Sequence, residues 1–160
     1  MNKNLNFILT LFLAVLLYHS TYAQTKTAAK SAPKKGEPIS TDTLKTSSGM
    51  KYVIIKRGEG DKPWPGYKVS IYYSLKFLNG KTYSSNFQKE PFVYKLGDSE
   101  AIKALNEGLA LMRQGDRFRF MVPSEFAYGS EGLKNEGSKK YAVEPNTPLI
   151  LEVELIEFKK

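Results

Sequence analysis

The chain has 160 residues, 41% hydrophobic and 25% charged, a size that suits one domain with appendages. Lys and Arg number 24 against 16 acids, a formal net charge of +8, yet no Lys/Arg-rich cluster with interleaved aromatics argues for nucleic acid. There is no Cys and one His, His19, so beyond residue 23 disulfides, Ser-His and Cys-His nucleophilic sites and nearly all zinc sites are excluded.

Residues 1–23 read as an export signal. Lys3 gives a positive start, Leu5 to Leu17 is an apolar run broken only by Asn6 and Thr10, and Thr21-Tyr22-Ala23 places a small residue at the cleavage position. The run is shorter than the roughly 20 apolar residues a permanent span needs, so no stable membrane span is expected after cleavage. The expectation is an exported protein, periplasmic or secreted, with a mature chain beginning at Gln24. It is not a lipoprotein, because that anchor needs a Cys at the cleavage site. Residues 24–48 carry five lysines against Glu37 and Asp42, with few large apolar residues. Such a segment buries too little surface to offset its ordering entropy and reads as a flexible tether. Residues 49–160 carry 18 cations against 14 acids, a diffuse excess that could favour an anionic surface but reads first as a solvated one.

A domain is expected over 49–160. Met50 to Ile55 reads as a strand, and Gly58-Glu59-Gly60 and Pro63-Trp64-Pro65-Gly66 mark loops. These glycines do not open a helix, so a phosphate site gains no support. Lys68 to Phe77 alternates: Val69, Ile71, Tyr73, Leu75 and Phe77 share one face, the pattern of a half-buried strand. Asn79-Gly80 supplies the positive φ angles of a tight hairpin turn, and the next strand carries Tyr83 back. Glu90 to Gly97 is a further short strand. Asp98 or Ser99 is placed to cap the following helix, with Glu100 in its first turn. Ile102, Leu105, Leu109 and Met112 fall on one helical face. Gly108 costs that helix about 1 kcal/mol relative to Ala, which points to close packing there. Gln114-Gly115 stops the helix, Asp116 to Val122 alternates again, and Leu149 to Phe158 is the last strand. Ser124 to Pro148 is a long connection containing Ala127-Tyr128-Gly129; a loop that long without regular structure is usually functional or disordered. About five strands and one amphipathic helix predict an α+β layer, an antiparallel sheet curled around the helix.

Taken in order, "NGKTYSS", "PFVYKLG", "EGLALMRQGDRFRFMVP", "FAYG", "VEPN" and "LILEVELIEF" closely resemble the FKBP-type peptidyl-prolyl cis–trans isomerases from about Gly49 to Lys160. Each motif alone is weak; the order and spacing are specific. The resemblance implies a sheet wrapped across a short helix and an apolar pocket for an Xaa-Pro segment, with no cofactor or metal. It implies that Tyr73, Tyr83 and Phe92 wall the pocket and that the Tyr128 hydroxyl and the Ile102 backbone N–H bind ligand carbonyls. Ala101 precedes the helix beside Ile102, Leu105 forms the floor, Val143 and Pro145 form an apolar loop tip, and Leu151 lines the interior. Three residues depart from the family pattern: Ser84 for Asp, Leu105 for Trp, Leu151 for Phe. They make the pocket less acidic, less aromatic and wider, and count against high catalytic efficiency and macrolide binding. The loop from Gly132 to Tyr141 is also longer and more polar than in small members.

The resemblance implies partners that are proline-containing segments of unfolded or partly folded proteins. The leading reading is an exported prolyl isomerase assisting protein folding. The alternative is an FKBP-like chaperone or adaptor module that grips such segments with little turnover. Prolyl rotation needs no proton transfer, so the lack of His and Cys is consistent with the first.

Overall fold

The computed structural model describes residues 42–99 and 101–160. The expected signal, most of the expected tether, and Glu100 lie outside the described residues. In chain order the described residues form β1 (Leu44–Lys45), β2 (Lys51–Lys56), β3 (Lys68–Phe77), β4 (Thr82–Ser85), β5 (Phe92–Lys95), α1 (Lys103–Leu111), β6 (Arg117–Val122), a 3-10 turn (Ser124–Phe126), β7 (Leu133–Lys134), β8 (Tyr141–Val143) and β9 (Leu149–Lys159).

One antiparallel sheet runs β1-β2-β6-β9-β3-β4, with β5 also paired to β3. Its spine is β3 against β9, in register from Lys68↔Lys159 to Phe77↔Leu149 with one bulge after Ser70. The far edge of β3 is divided: β5 covers Lys68 to Ile71 and β4 covers Ser74 to Lys76. The alternation read from the sequence holds. Val69, Ile71 and Leu75 of β3, Phe118, Phe120 and Val122 of β6, and Leu149, Leu151, Val153 and Leu155 of β9 are buried together. The helix lies against β6 and β9 and adds Ala104, Leu105, Leu109 and, at its end, Met112 to this core. Each such side chain contributes roughly 1.5–3 kcal/mol when fully withdrawn from water. Tyr52 caps the core edge, stacked 5.5 Å from the Phe118 ring.

Several expectations need correction. The main sheet has seven strands, the six segments read from the sequence and β1, which lies inside the segment read as tether. The order begins before Gly49 for a local reason. Thr46 donates its N–H to the Met50 carbonyl at 2.9 Å, and its Oγ1 accepts the Met50 N–H at 3.0 Å. Ser48 Oγ donates to Glu107 Oε1 at 2.7 Å, and Met50 is buried. These contacts hold a polar segment that composition alone reads as unstructured.

The hairpin after β3 differs too. Only Gly80 has positive φ (85°); Asn79 does not. The Gly80 N–H donates to the Phe77 carbonyl and the Phe77 N–H to the Lys81 carbonyl, both at 2.9 Å. This is the three-residue loop with glycine in the left-handed region, not a two-residue turn, and the register of β3 with β4 shifts beside it. Helix α1 starts at Lys103 with Ile102 as N-cap and no side-chain cap, so neither Asp98 nor Ser99 caps it. The carboxamide of Asn106 holds the preceding loop instead, accepting from the Gly97 N–H at 2.9 Å and donating to the Asp98 carbonyl at 2.9 Å. The 124–148 connection contains the 3-10 turn and the β7–β8 pair, so it is not free of regular structure.

Gly108 is buried beneath the Phe120 ring, and a Cβ placed on it falls 2.8 Å from the nearest ring carbon. The close packing inferred from the sequence is present. Helix propensity alone makes Gly108→Ala stabilising by about 1 kcal/mol, whereas overpacking costs about 1–3 kcal/mol. The clash involves a ring fixed in the core, so the variant is expected to unfold at lower urea concentration with an unchanged m-value; a raised midpoint contradicts this packing.

Candidate functional site

The divided edge of β3 sets the site. Tyr73, opposite Val153 of β9 on one edge, lies on the other edge in the gap between the stretch covered by β5 and the stretch covered by β4, where no strand pairs it. A strand backbone group left unpaired is costly. Asn86, just after β4, fills the gap. Its Oδ1 accepts the Tyr73 N–H at 2.6 Å, and its Nδ2 donates to the Ile71 carbonyl at 3.0 Å and the Glu90 carbonyl at 3.2 Å. Its own N–H donates to the Tyr73 carbonyl at 3.1 Å, which also accepts from Ser85 Oγ at 3.1 Å. One carboxamide thus stands in for a missing strand residue and ties β3 to the connection leading into β5.

Held in this way, Tyr73 points into two contacts. Its hydroxyl lies 3.0 Å from Ser84 Oγ, and its ring meets the Phe92 ring edge-on at 5.9 Å between centroids. Phe92 stacks on Tyr94 at 5.6 Å and remains 42% exposed, a large apolar surface turned to solvent. Tyr94 in turn donates to Asn106 Oδ1 at 3.2 Å, and burial pushes its hydroxyl pKa well up.

A second aromatic set is built on Tyr83 of β4, next in the chain to Ser84. Tyr83 meets Phe77 and Tyr128 edge-on, each at 6.3 Å. Tyr128 follows the 3-10 turn and is fixed by its neighbours' backbone: Gly129 N–H to the Ser124 carbonyl at 2.8 Å, Gly132 N–H to the Tyr128 carbonyl at 3.1 Å, and Asn146 N–H to the Gly129 carbonyl at 2.8 Å. Burial, and then the neighbouring phenols of Tyr83 and Tyr73, push the Tyr128 hydroxyl up to about 12. It is therefore a proton-bearing donor throughout the neutral range.

Of the residues singled out in the sequence, Tyr73, Tyr83, Ser84, Phe92 and Tyr128 form one connected group. Ala101 and Ile102 stand half-buried against the same core at the start of α1, but among the described residues no ring contact or hydrogen bond joins them to that group. The Ile102 N–H makes no hydrogen bond among the described residues, while its carbonyl accepts from Leu105 N–H at 3.0 Å. Leu105, Val143 and Leu151 are 6%, 1% and 2% exposed and belong to the core beneath. Pro145 is half-buried beside Gly132. Among the described residues no carboxylate hydrogen-bonds to Tyr73, Tyr83, Ser84 or Tyr128, and no group of three or more His, Cys, Asp and Glu is placed to hold a metal ion. The arrangement offers aromatic walls, hydroxyl donors and one free backbone N–H. Asn86 was not singled out from the sequence; the only clue was a ten-residue strand flanked by two runs too short to cover it.

Comparison with known proteins follows the same line. The family model for FKBP-type peptidyl-prolyl cis-trans isomerase matches residues 59–156. FK506-binding protein 1 of Dictyostelium discoideum is 34% identical over 112 residues, covering 69% of this chain and 99% of that protein. A probable FKBP-type peptidyl-prolyl cis-trans isomerase of Haemophilus influenzae is 29% identical over 148 residues; the match covers 88% of this chain and 58% of that protein's length. The crystal structure of a peptidyl-prolyl cis-trans isomerase from Pseudomonas syringae pv. tomato superposes with a TM-score of 0.65 at 26% identity, over 78% of this chain and 86% of that one.

Replacing Asn86 by Ala strands the Tyr73 N–H and the Ile71 carbonyl without these partners. Each buried group left unsatisfied costs about 1–3 kcal/mol. Equilibrium urea unfolding of Asn86→Ala is expected to show a loss in that range or above it, whereas the exposed control Gln88→Ala should lose less; equal losses contradict the clamp.

Proposed function

The chain belongs to the FKBP-type peptidyl-prolyl cis–trans isomerases, and from that premise we propose that the aromatic group around Tyr128 is where the Xaa-Pro bond is turned. The family's activity makes and breaks no covalent bond. The peptide C–N bond rotates against a barrier of about 18–20 kcal/mol, a process that takes tens to hundreds of seconds unaided. In the planar amide the nitrogen lone pair is shared with the carbonyl and the group is strongly dipolar; the twisted state loses that sharing. An apolar, water-poor cleft solvates the planar amide poorly and penalises it more than the twisted state.

In this reading the proline ring packs against Tyr73, Phe92 and Tyr83. The Tyr128 hydroxyl and the Ile102 N–H hold carbonyl oxygens of the segment while the bond turns, which lowers the entropic cost of reaching the twisted geometry. Ser84 orients the Tyr73 hydroxyl and brings no charge. Leu105, Val143 and Leu151 support the walls from beneath. Each 1.4 kcal/mol of preferential stabilisation gives about a tenfold acceleration. The observation that supports this reading is the position of Tyr128, a partly buried phenol edge-on to Tyr83, in a group to which no carboxylate hydrogen-bonds among the described residues. The macrolide and efficiency expectations attached to Ser84, Leu105 and Leu151 belong to the same proposal.

The substrates we propose are proline-containing segments of exported proteins as they fold. The apolar run over Leu5–Leu17 and the small residue Ala23 support export, with a mature chain from Gln24. Among the described residues no helix is long and apolar enough to cross a membrane. Amino-terminal sequencing of the exported protein should read from Gln24; a chain still carrying Met1 contradicts cleavage.

Exchange spectroscopy on a short Xaa-Pro peptide with catalytic amounts of protein tests the site. The protein should speed cis–trans exchange, and the double variant Phe92→Ala/Tyr128→Phe should abolish most of that acceleration while remaining folded. Shifted peptide resonances without faster exchange make it a binding module instead. The acceleration should be level from neutral pH to pH 10, because the Tyr128 donor is lost only as pH rises toward about 12. A fall centred near neutrality contradicts the assignment.

A further inference from the structure

The positive charge that looks diffuse along the sequence is gathered on one face of the sheet. Strand register turns Lys45, Lys51, Lys56, Lys68, Lys76, Lys95, Arg117, Arg119 and Lys159 away from the core, on the face opposite α1. Among the described strand residues, only Glu152, Glu154 and Glu157 are acids on that face. The rest of the described residues carry ten cations against eleven acids. The fold is therefore polarised: nine cations and three acids outside the sheet, near-neutrality elsewhere.

Those three acids are already engaged. Burial works against the Glu152 carboxylate, yet its bonds to Arg119 and Arg117 outweigh that and hold its pKa below the usual range. Glu154 pairs with Lys56 at 3.2 Å and Glu157 with Lys159 at 3.3 Å. Lys45, Lys51, Lys68, Lys76 and Lys95 have no ion pair among the described residues. Several cations even oppose each other directly across strands: Lys45↔Lys51, Lys56↔Arg117, and Lys68 against both Lys95 and Lys159. Like charges in that position destabilise a sheet. A layer of anions against this face relieves the repulsion.

We infer that this outer face docks on the anionic headgroups of a phospholipid surface. Three features favour lipid over other polyanions. The cations are spread over a strand-by-strand width of about 24 Å rather than along a groove, which suits a plane of mobile headgroups. Two apolar side chains, Met121 and Val93, stand 46% and 54% exposed among the cations, where they enter the headgroup layer. The aromatics on this face already have partners: Phe87 stacks on the Tyr72 ring at 6.0 Å and lies under the Arg117 guanidinium at 4.6 Å, which leaves less ring face for bases. Docked this way, the Tyr128 side of the sheet, with α1, faces away from the surface and stays open to a chain approaching from solution.

The test uses the full chain and two triple variants that remove equal charge: Lys68→Gln/Lys95→Gln/Lys159→Gln on the outer face, and Lys134→Gln/Lys139→Gln/Lys140→Gln on and beside the β7–β8 pair. Partitioning is measured on vesicles of phosphatidylcholine alone and of phosphatidylcholine with phosphatidylglycerol, at low and physiological salt. The ratio of the two affinities removes any contribution from the apolar amino-terminal run. Each lysine near an anionic surface adds about fivefold to partitioning, so the outer-face triple should lower the ratio about a hundredfold. The other triple should change it only several-fold, and circular dichroism should show both folded. Equal losses in the two triples, no preference of the parent for phosphatidylglycerol, or tighter binding to a DNA duplex or polyglutamate than to anionic vesicles in the same salt overturns the inference.

Discussion

A ten-residue strand laid against β9 has two edges to satisfy, and β3 satisfies one of them with two strands that do not meet. Tyr73 falls in the interval. The requirement that its backbone find partners is met by the Asn86 carboxamide and N–H together with Ser85 Oγ, and that solution shapes the rest of the site. It sets where the chain turns between β4 and β5, and so where Phe92 returns beside Ile71. It leaves the Tyr73 hydroxyl facing Ser84 and the Tyr73 ring facing Phe92. A continuous partner strand would give a regular sheet and no such interval.

The position of Tyr128 has a different origin. Tyr128 is placed by a chain of backbone bonds through Ser124, Gly129, Gly132 and Asn146, with no strand partner of its own. Burial, and then Tyr83 and Tyr73, push its hydroxyl further above the neutral range, where a phenol already carries its proton and can donate. The site is consequently built of walls and donors. That suits a rotation about a bond, where solvation and grip of the amide matter more than movement of protons. The outer face has a contrasting composition, with charge spread across strand ends and the few acids consumed by arginine and lysine. One sheet thereby carries the aromatic, phenol-bearing group on one side and an excess of strand cations on the other.

What the sequence revealed and what it hid divide along range. Period-2 alternation in β3, β6 and β9 and the 3.6-residue spacing of Leu105, Leu109 and Met112 marked the core, because those patterns report local geometry. Gly108 was informative for the same reason: a glycine inside a good helix needs a neighbour to explain it, and Phe120 is that neighbour. Elements held by distant partners were not legible. Strand β1 is polar and two residues long, and exists because β2 offers an edge and Thr46 and Met50 close the turn. The start of α1 shifted past Asp98 because Asn106, inside the helix, reaches back to hold that loop. Asn86 carries no local signature, since its partners lie 13 and 15 residues away. The aromatics that meet around Tyr73 and Tyr128 were singled out through motif order, but the depth of Leu105, Val143 and Leu151 depends on which elements cover them.

The central claim is that this site turns a prolyl bond by desolvation and hydrogen bonding alone, with no proton changing hands. The most direct test is the catalysed exchange rate of an Xaa-Pro peptide measured in light and in heavy water at matched acidity. Equal rates in the two solvents are expected; markedly slower catalysis in heavy water, with the uncatalysed rate unaffected, contradicts the account.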